Sequence, residues 1–375
     1  MTATVRELAG PELDSWDATA VDVSGGHVYQ SRAWAEHRAA RGWQPRYLVA
    51  GEQRALVLER RWPLIGGGSA YIARGPVGAG EPWTGDGSGG ATGAALATMA
   101  THLTGGGIDV LAADPEVAAD DTGYRDALEA AGFRAIPEIQ PSRHRTALAL
   151  AGADEAAMLD GIAKATRQRI RRAERDQTLV LRWDAATSQL EGAQNAGREE
   201  PAADAFRRFY AMLRATGDRR GFDFAGPEEF VAWWERAHAA GHLAYLEARA
   251  HEDGALLGGL VLYRHGRRLS TAHSADVADT RRTHAGTMHL LRWRAIQLAL
   301  GEGRVEMDLG GVDVAGARRE PEPGEATYGL YEHKRSFGAR WVALAGAQER
   351  VARPWRYQAG RVTSRLARSL PGGRA

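Results

Sequence analysis

Glycine and proline divide the chain into segments whose apolar residues recur either at every second position or at every third to fourth. In the first part the spacing predicts helices near 11–20 and 31–41, then strands at 45–51, 54–61 and 68–73. GPVGAGEPWTGDGSGGATG, residues 75–93, is too rich in glycine for an element interior and reads as a long loop. A helix at 91–104 follows, then strand 108–113, helix 122–131 and strands 133–138 and 144–150. The second part opens on a basic helix at 155–175 and a strand at 178–183, followed by helices 203–215 and 226–240. Strands 242–250, 255–264 and 268–274 come next, then helix 286–300, strand 304–309, helix 327–337 and strand 339–345.

The two parts repeat one another. GGIDVLAAD at 106–114 and GEGRVEMD at 301–308 each follow a helix and end on an aspartate. Each then leads to a helix closing on glycine and a further strand, LEAAGFRAI at 128–136 and KRSFGARWV at 334–342. The order is that of a duplicated α/β unit. The expected boundaries are 1–150 for the first domain, completed by 346–375, and 151–345 for the second.

Composition removes several chemistries. With no cysteine in 375 residues there are no disulfides, thiolate metal sites or Cys nucleophiles, which fits a reducing compartment. No apolar run reaches the roughly 18 residues of a membrane span, and the N-terminus lacks a signal-peptide pattern, so the cytoplasm is the expected location. There is no G-x-S-x-G, H-E-x-x-H or G-x-x-x-x-G-K-[ST], and no G-x-G-x-x-G follows a strand. Neither a metal nor a cofactor is expected. Net charge is +1, yet of the 48 basic residues only Lys164 and Lys334 are lysine. Arginine bias across a genome explains most of this. The two lysines nonetheless mark places where a compact charge has been kept.

Three segments carry candidate chemistry. In KATRQRIRRAERD, Lys164, Arg167, Arg171 and Arg175 form one stripe on a helix, a face suited to phosphate-rich partners; a solvated charged face is the plain alternative. MDLGGVDV at 307–314 runs a buried strand into Gly310 and Gly311, where backbone can approach a polar ligand. His333 and Lys334 follow on the next helix, and a lysine at a cleft edge can hold the charge that develops on a carbonyl oxygen in acyl transfer. RRTHAGTMHLLRW at 281–293 is similar in position to the pyrophosphate loop of acyl-CoA acetyltransferases, but Ala285 and Thr287 stand where that loop has glycine.

Taken together, these segments resemble the FemABX family, whose members add amino acids from charged tRNA to a cell-wall peptide. YQSRAWAEHRAARGW (29–43) is similar to the family's opening Q-S-x-x-W helix, YIARGPV (71–77) to its strand ending in G-P-V, and DVLAADPEV (109–117) to its D-P turn. KATRQRIRRAERD resembles the R-x-I-R/K-K/R-A-E segment, TGDRRGF (216–222) resembles T-x-x-R-x-x-F, and WRAIQLALGEGRVEMDLGG (293–311) resembles W-x-x-I…G…D-x-G-G. GLYEHKRSFGA (329–339) is similar to G-L-x-x-F-K-x-G-F-G.

The resemblance implies tandem acetyltransferase-like (GNAT) domains of the α/β (α+β) class, with the first on the acceptor side. It implies that Arg38, where the family usually has lysine, and Arg219 hold a precursor's phosphates, and that Lys334 lies at the acyl-transfer centre with Asp114 as a candidate base. His333 replaces the family's aromatic residue, and with Gly310 and Gly311 would line the substrate site; Lys164, Arg167, Arg171 and Arg175 would guide tRNA. Three readings stand beside this one: tRNA-dependent amide formation on a small natural-product peptide, an acyl-CoA-dependent transferase, and an RNA-binding module without catalysis. The expected partners are aminoacyl-tRNA and a peptidoglycan precursor or small peptide, with a monomer or weak dimer as the assembly. The segment after Val351 has six arginines and no acids, and suits either tRNA or an anionic lipid surface at the inner face of the membrane.

Overall fold

The computed structural model describes residues 4–185, 194–195, 200–220 and 225–369, and the chain divides into two compact units. The first segment supplies β1 (Val5–Leu8), α1 (Trp16–Ala20), α2 (Arg32–Ala39), β2 (Gln44–Ala50), β3 (Gln53–Arg61), β4 (Gly68–Ile72), α3 (Gly89–Gly105), β5 (Val110–Ala113), α4 (Thr122–Ala130) and β6 (Arg134–Ala135). The middle of the chain supplies β7 (Arg145–Ala149), α5 (Glu155–Gly161), α6 (Lys164–Arg175), β8 (Leu179–Asp184), β9 (Gln194–Asn195), α7 (Ala202–Arg220) and α8 (Pro227–Ala239). It continues through β10 (Leu243–Arg249), β11 (Leu256–His265), β12 (Arg268–Asp276), α9 (Thr287–Gly301), β13 (Glu306–Asp308), α10 (Tyr328–Arg335) and β14 (Arg340–Val342). The chain closes on β15 (Gln348–Val351) and α11 (Pro354–Ser369).

The first sheet runs β1-β2-β3-β4-β5-β15-β6 and the second β14-β7-β13-β12-β11-β10-β8-β9. Each has four consecutive antiparallel strands that lead into a parallel pair, β4 with β5 and β12 with β13; in the second sheet β9 also lies parallel to β8 at the other edge. The internal repeat seen in the sequence is therefore a repeat of sheet order. Each parallel pair is short. β4 and β5 part after Ile72↔Ala113, and β12 and β13 after Ser270↔Asp308. Asp114 follows the first parting directly, and Gly310 and Gly311 follow the second.

The units comprise 1–144 with 315–319 and 342–375, and 145–314 with 320–341. The first division falls at 144/145 rather than at 150/151 because Ala147, Leu148 and Ala149 of β7 pair with Asp308, Met307 and Glu306 of the second sheet. In return β15 enters the first sheet between β5 and β6. Both strands are completed by a segment distant in sequence, so their order within the sheets was not readable from local pattern.

The basic helix expected over 155–175 is two helices. Ile162 is buried in the second unit's core and takes an extended conformation, as does Ala163, which ends α5 and starts α6 afresh. Thr166, Ile170 and Ala173 form α6's buried face, and the helix approaches α9 so closely that a Cβ on Gly286 would lie 2.2 Å from the Arg169 carbonyl oxygen. Gly286 also has φ +112°, so only glycine fits this crossing. The helix expected at 11–20 is a single 3₁₀ turn followed by α1.

Candidate active site

In the second unit, β13 ends on Asp308, whose Oδ1 accepts from the Gly310 amide at 2.7 Å and turns the chain. Gly310 has φ +83°, and a Cβ there would press on the Thr271 carbonyl oxygen at 3.1 Å and Lys334 Nζ at 3.5 Å. The Gly310 carbonyl accepts from the Thr146 amide at 3.1 Å and hydroxyl at 2.9 Å. Lys334, on α10, donates from Nζ to the same carbonyl at 2.8 Å and to that of Gly311 at 3.2 Å. Lys334 is only 4% exposed. Burial, and after it the nearby Arg292 cation, lower its pKa to about 7, against the pull of Asp308 and Asp313. The ammonium therefore has two donors fixed on carbonyls and one left for a bound group. An ammonium held in this way can donate to negative charge on a bound group.

His333 does not stand free beside it. Its Nε2 accepts from Arg292 Nε at 3.3 Å, and its Nδ1 lies 3.2 Å from His289 Nε2, which Arg169 Nη1 approaches at 3.3 Å. The Arg292 donor fixes the proton of neutral His333 on Nδ1. Burial first, then the surrounding cations, drive His333 far below its ordinary pKa and His289 to about 4, so both rings are neutral at physiological pH. Arg292 is 1% exposed with its Nη1 unpaired among the described residues, and burial lowers its pKa to about 10. Both nitrogens of His333 are committed. The ring's edge is closed to substrate, and Phe337 meets it edge-on at 5.4 Å.

A cavity of about 350 Å³ opens at the start of α9, lined among others by Arg169, Asp276, Thr280, His284, Thr287 and His289. The amides of Thr287, His289 and Leu290 are taken by the carbonyls of His284 and Gly286. Arg219, near the end of α7, donates to the Thr216 hydroxyl at 3.1 Å and the Asp276 carbonyl at 3.3 Å, and lies 3.9 Å from the Asp276 carboxylate. It lines a second cavity of about 460 Å³ with Arg208, Leu256 and Asp279. The Phe222 of its motif lies outside the described residues. Of the basic stripe, Lys164, Arg171 and Arg175 are exposed. Arg167 is turned inward: its Nη1 donates to the carbonyls of Leu159, Asp160 and Ile162 at 2.8–3.0 Å and caps α5.

The remaining sequence candidates belong to the first unit. Asp114 follows β5 and is fully buried, with Oδ1 accepting from Tyr71 Oη at 3.0 Å and the Arg74 amide at 2.8 Å. Oδ2 accepts no hydrogen bond among the described residues and lies 3.9 Å from Arg74 Nε. Burial raises this carboxyl to about 6 in spite of Arg74. Asp114 holds Arg74 in a left-handed conformation, φ +49°, at the parting of β4 and β5. Arg38, on α2, lies over Trp34 at 5.4 Å and Trp43 at 5.3 Å, and Arg60 stacks on Trp43 at 4.6 Å.

The structure thus brings together Lys334, His333, Gly310 and Gly311, and leaves Asp114 and Arg38 to the other unit. Arg292 and His289 were not singled out from the sequence. Their signal was present: a charge at 292 amid LLRW, on a helix apolar on nearly every face, is a charge that must be buried.

No family model and no curated protein matches the chain. Solved structures do. The crystal structure of FemX superposes with a TM-score of 0.74 at 17% identity, covering 94% of this chain and 99% of that one. A conserved protein of unknown function from Bacteroides thetaiotaomicron VPI-5482 gives 0.53 at 12% identity, covering 92% and 98%. L-PGS from Bacillus licheniformis gives 0.50 at 11%, covering 95% and 97%. The chain therefore has the FemX fold, with two α/β units each built on four consecutive antiparallel strands that lead into a parallel pair.

Proposed function

We propose that the chain is an aminoacyltransferase of the FemABX type, which moves an amino acid from aminoacyl-tRNA to a peptide amine of a peptidoglycan precursor. One observation carries this reading: a buried lysine clamped on the Gly310 and Gly311 carbonyls where the parallel strands part, in a chain with the FemX fold. The peptide amine attacks the ester carbonyl at the tRNA 3′ end. A C–N bond forms, the C–O ester bond breaks, and the amine's proton leaves on the ribose oxygen. Lys334, as the cation, holds the oxyanion of the tetrahedral intermediate with its remaining N–H. The neutral His333, fixed by Arg292 and His289, adds no second charge at that point. The cavity beside His289 is large enough for the terminal nucleoside, and the exposed cations of α6 attract the acceptor stem. Asp114 acts as a positioning residue for Arg74.

Incubating the enzyme with a mixed pool of charged tRNAs and a precursor pentapeptide, read by mass spectrometry, tests the proposal. The expected result is a gain of one amino-acid residue that RNase abolishes. No gain, or a gain that survives RNase, overturns it. A second reading keeps the chemistry and changes the acceptor to another small peptide. It is favoured by Arg38, clamped between two indoles where the family carries a lysine. Offering both peptides in one reaction discriminates between the two.

A further inference from the structure

α11 is inverted. A helix on the surface of a globular protein normally buries its apolar stripe and exposes its charges. Here the inward face is anchored by charge: Arg356 grips the fully buried Asp109 from Nε at 2.9 and 3.0 Å and from Nη2 at 2.7 Å, and Arg353, just before the helix, reaches the same carboxylate at 3.5 Å. Trp62 Nε1 and the Gly68 amide complete the acceptor's shell at 2.8 and 3.2 Å. Gly360 lies flat on the Trp62 ring, where a Cβ would stand 2.3 Å from the indole. This anchoring fixes the helix's rotation. Trp355 and Val362, seven residues and two turns apart, therefore point to solvent, 72% and 55% exposed. Arg361 and Arg365 flank them, also exposed.

The neighbouring loop repeats the pattern. It leaves β3 through Trp62, returns at Gly67 beside Arg356, and holds Leu64 between them. Leu64 is 100% exposed and has φ +69°, a conformation a branched side chain adopts at a cost. Three of the four exposed large hydrophobic side chains among the described residues thus lie on this helix and this loop. Over residues 352–375 the chain has six arginines and no acidic residue.

We propose that α11 and the 62–67 loop form a docking face for an anionic lipid bilayer, with Trp355, Val362 and Leu64 entering the interface and the arginines meeting lipid phosphates. Cations alone would suit RNA equally. Exposed leucine and valine side chains have nothing to stack on in a nucleic acid, whereas the acyl boundary of a bilayer takes them. The inward Asp109 pair and the Gly360–Trp62 contact together keep the apolar face outward.

The test is co-sedimentation of the full chain with vesicles of phosphatidylcholine, with and without phosphatidylglycerol, read without any substrate so that it stands apart from the transferase proposal. Capture is expected on the anionic vesicles and not on the neutral ones, weakened several-fold by high salt. Trp355→Asp with Val362→Asp should lower capture roughly tenfold or more. Leu64→Asp, in a separate segment, should lower it as well, and Arg361→Ala with Arg365→Ala by roughly tenfold. Circular dichroism melting of these surface variants should match the parent. Absence of capture overturns the proposal, and so does capture indifferent to Trp355, Val362 and Leu64. A dimer that dissociates in the Trp355/Val362 variant would assign the face to a second copy instead. Binding of tRNA that disappears with Arg361 and Arg365, without vesicle capture, would assign it to RNA.

Discussion

Lys334 sits where the fold has least use for a charge. Its pKa is lowered from 10.5 to about 7, chiefly by burial. Between these values the unfolded chain binds a proton that the folded chain does not, so stability rises with pH across that window and the cost of burying the cation is fully present below about 7. The difference in unfolding free energy between wild type and Lys334→Met should therefore shift in favour of wild type on going from pH 7 to pH 10, by up to about 1.4 kcal/mol per unit. Denaturant melts of both proteins across that range give the measurement. The same substitution should reduce turnover about 100-fold or more while tRNA binding is kept. Because the stabiliser must be protonated, activity should fall as pH rises through about 7. Arg292→Met removes the cation that helps lower Lys334, and should move this basic limb upward by roughly one unit; an unmoved limb would show that Arg292 only fills space. Asp114→Asn keeps an acceptor for Tyr71 and the Arg74 amide, so turnover should stay within a few-fold of wild type, and a 100-fold loss would restore Asp114 as a base.

At the scale of elements, most of the fold was legible because buried strands read as short apolar runs and helices as an apolar stripe. The central strands β3, β10 and β11 are near-continuous buried runs, and the amphipathic α6 follows its apolar period. What failed was whatever depends on a partner distant in sequence. β1 is four residues with a single buried side chain, β15 is defined by pairing with β5 and β6, and α11 hides charge rather than apolar surface. The site divides along the same line. Lys334 and the glycine pair were legible because composition and backbone freedom mark them, while Arg292 and His289 acquire meaning only once α9 lies beside α10. Of the basic stripe, Arg167 spends its charge on the carbonyls that end α5, and Lys164, Arg171 and Arg175 stay exposed. Neutralising Lys164, Arg171 and Arg175 to alanine should therefore weaken tRNA binding roughly equally for all sequences. It should also flatten the slope of log affinity against log salt by about 0.7–0.9 for each phosphate no longer neutralised. Filter binding over a salt series measures it. Arg167→Ala should instead lower thermal stability and leave the salt slope alone.

For the whole molecule, the exchange of β7 and β15 makes each sheet depend on chain that belongs, in sequence, to the other half. The stretch 1–144 contains β1 to β6 but not β15, the strand that pairs with β5 on one side and β6 on the other. Without it, Val110–Ala113 has an open edge, the two-residue β6 has no neighbour, and Arg134 loses Glu349 at 2.7 Å. Asp109, fully buried, also loses Arg356 and Arg353, and an unpaired buried carboxylate is far more damaging than a missing ion pair at the surface. Expressed alone, 1–144 should aggregate or melt without a cooperative transition by circular dichroism. Joining residues 342–369 to its end through a flexible linker should restore a single cooperative melt, since those residues return both the strand and the two arginines. A sharp melt for 1–144 alone would mean that β5 tolerates an open edge, and that the first unit is defined by its leading segment and not by the returning strand.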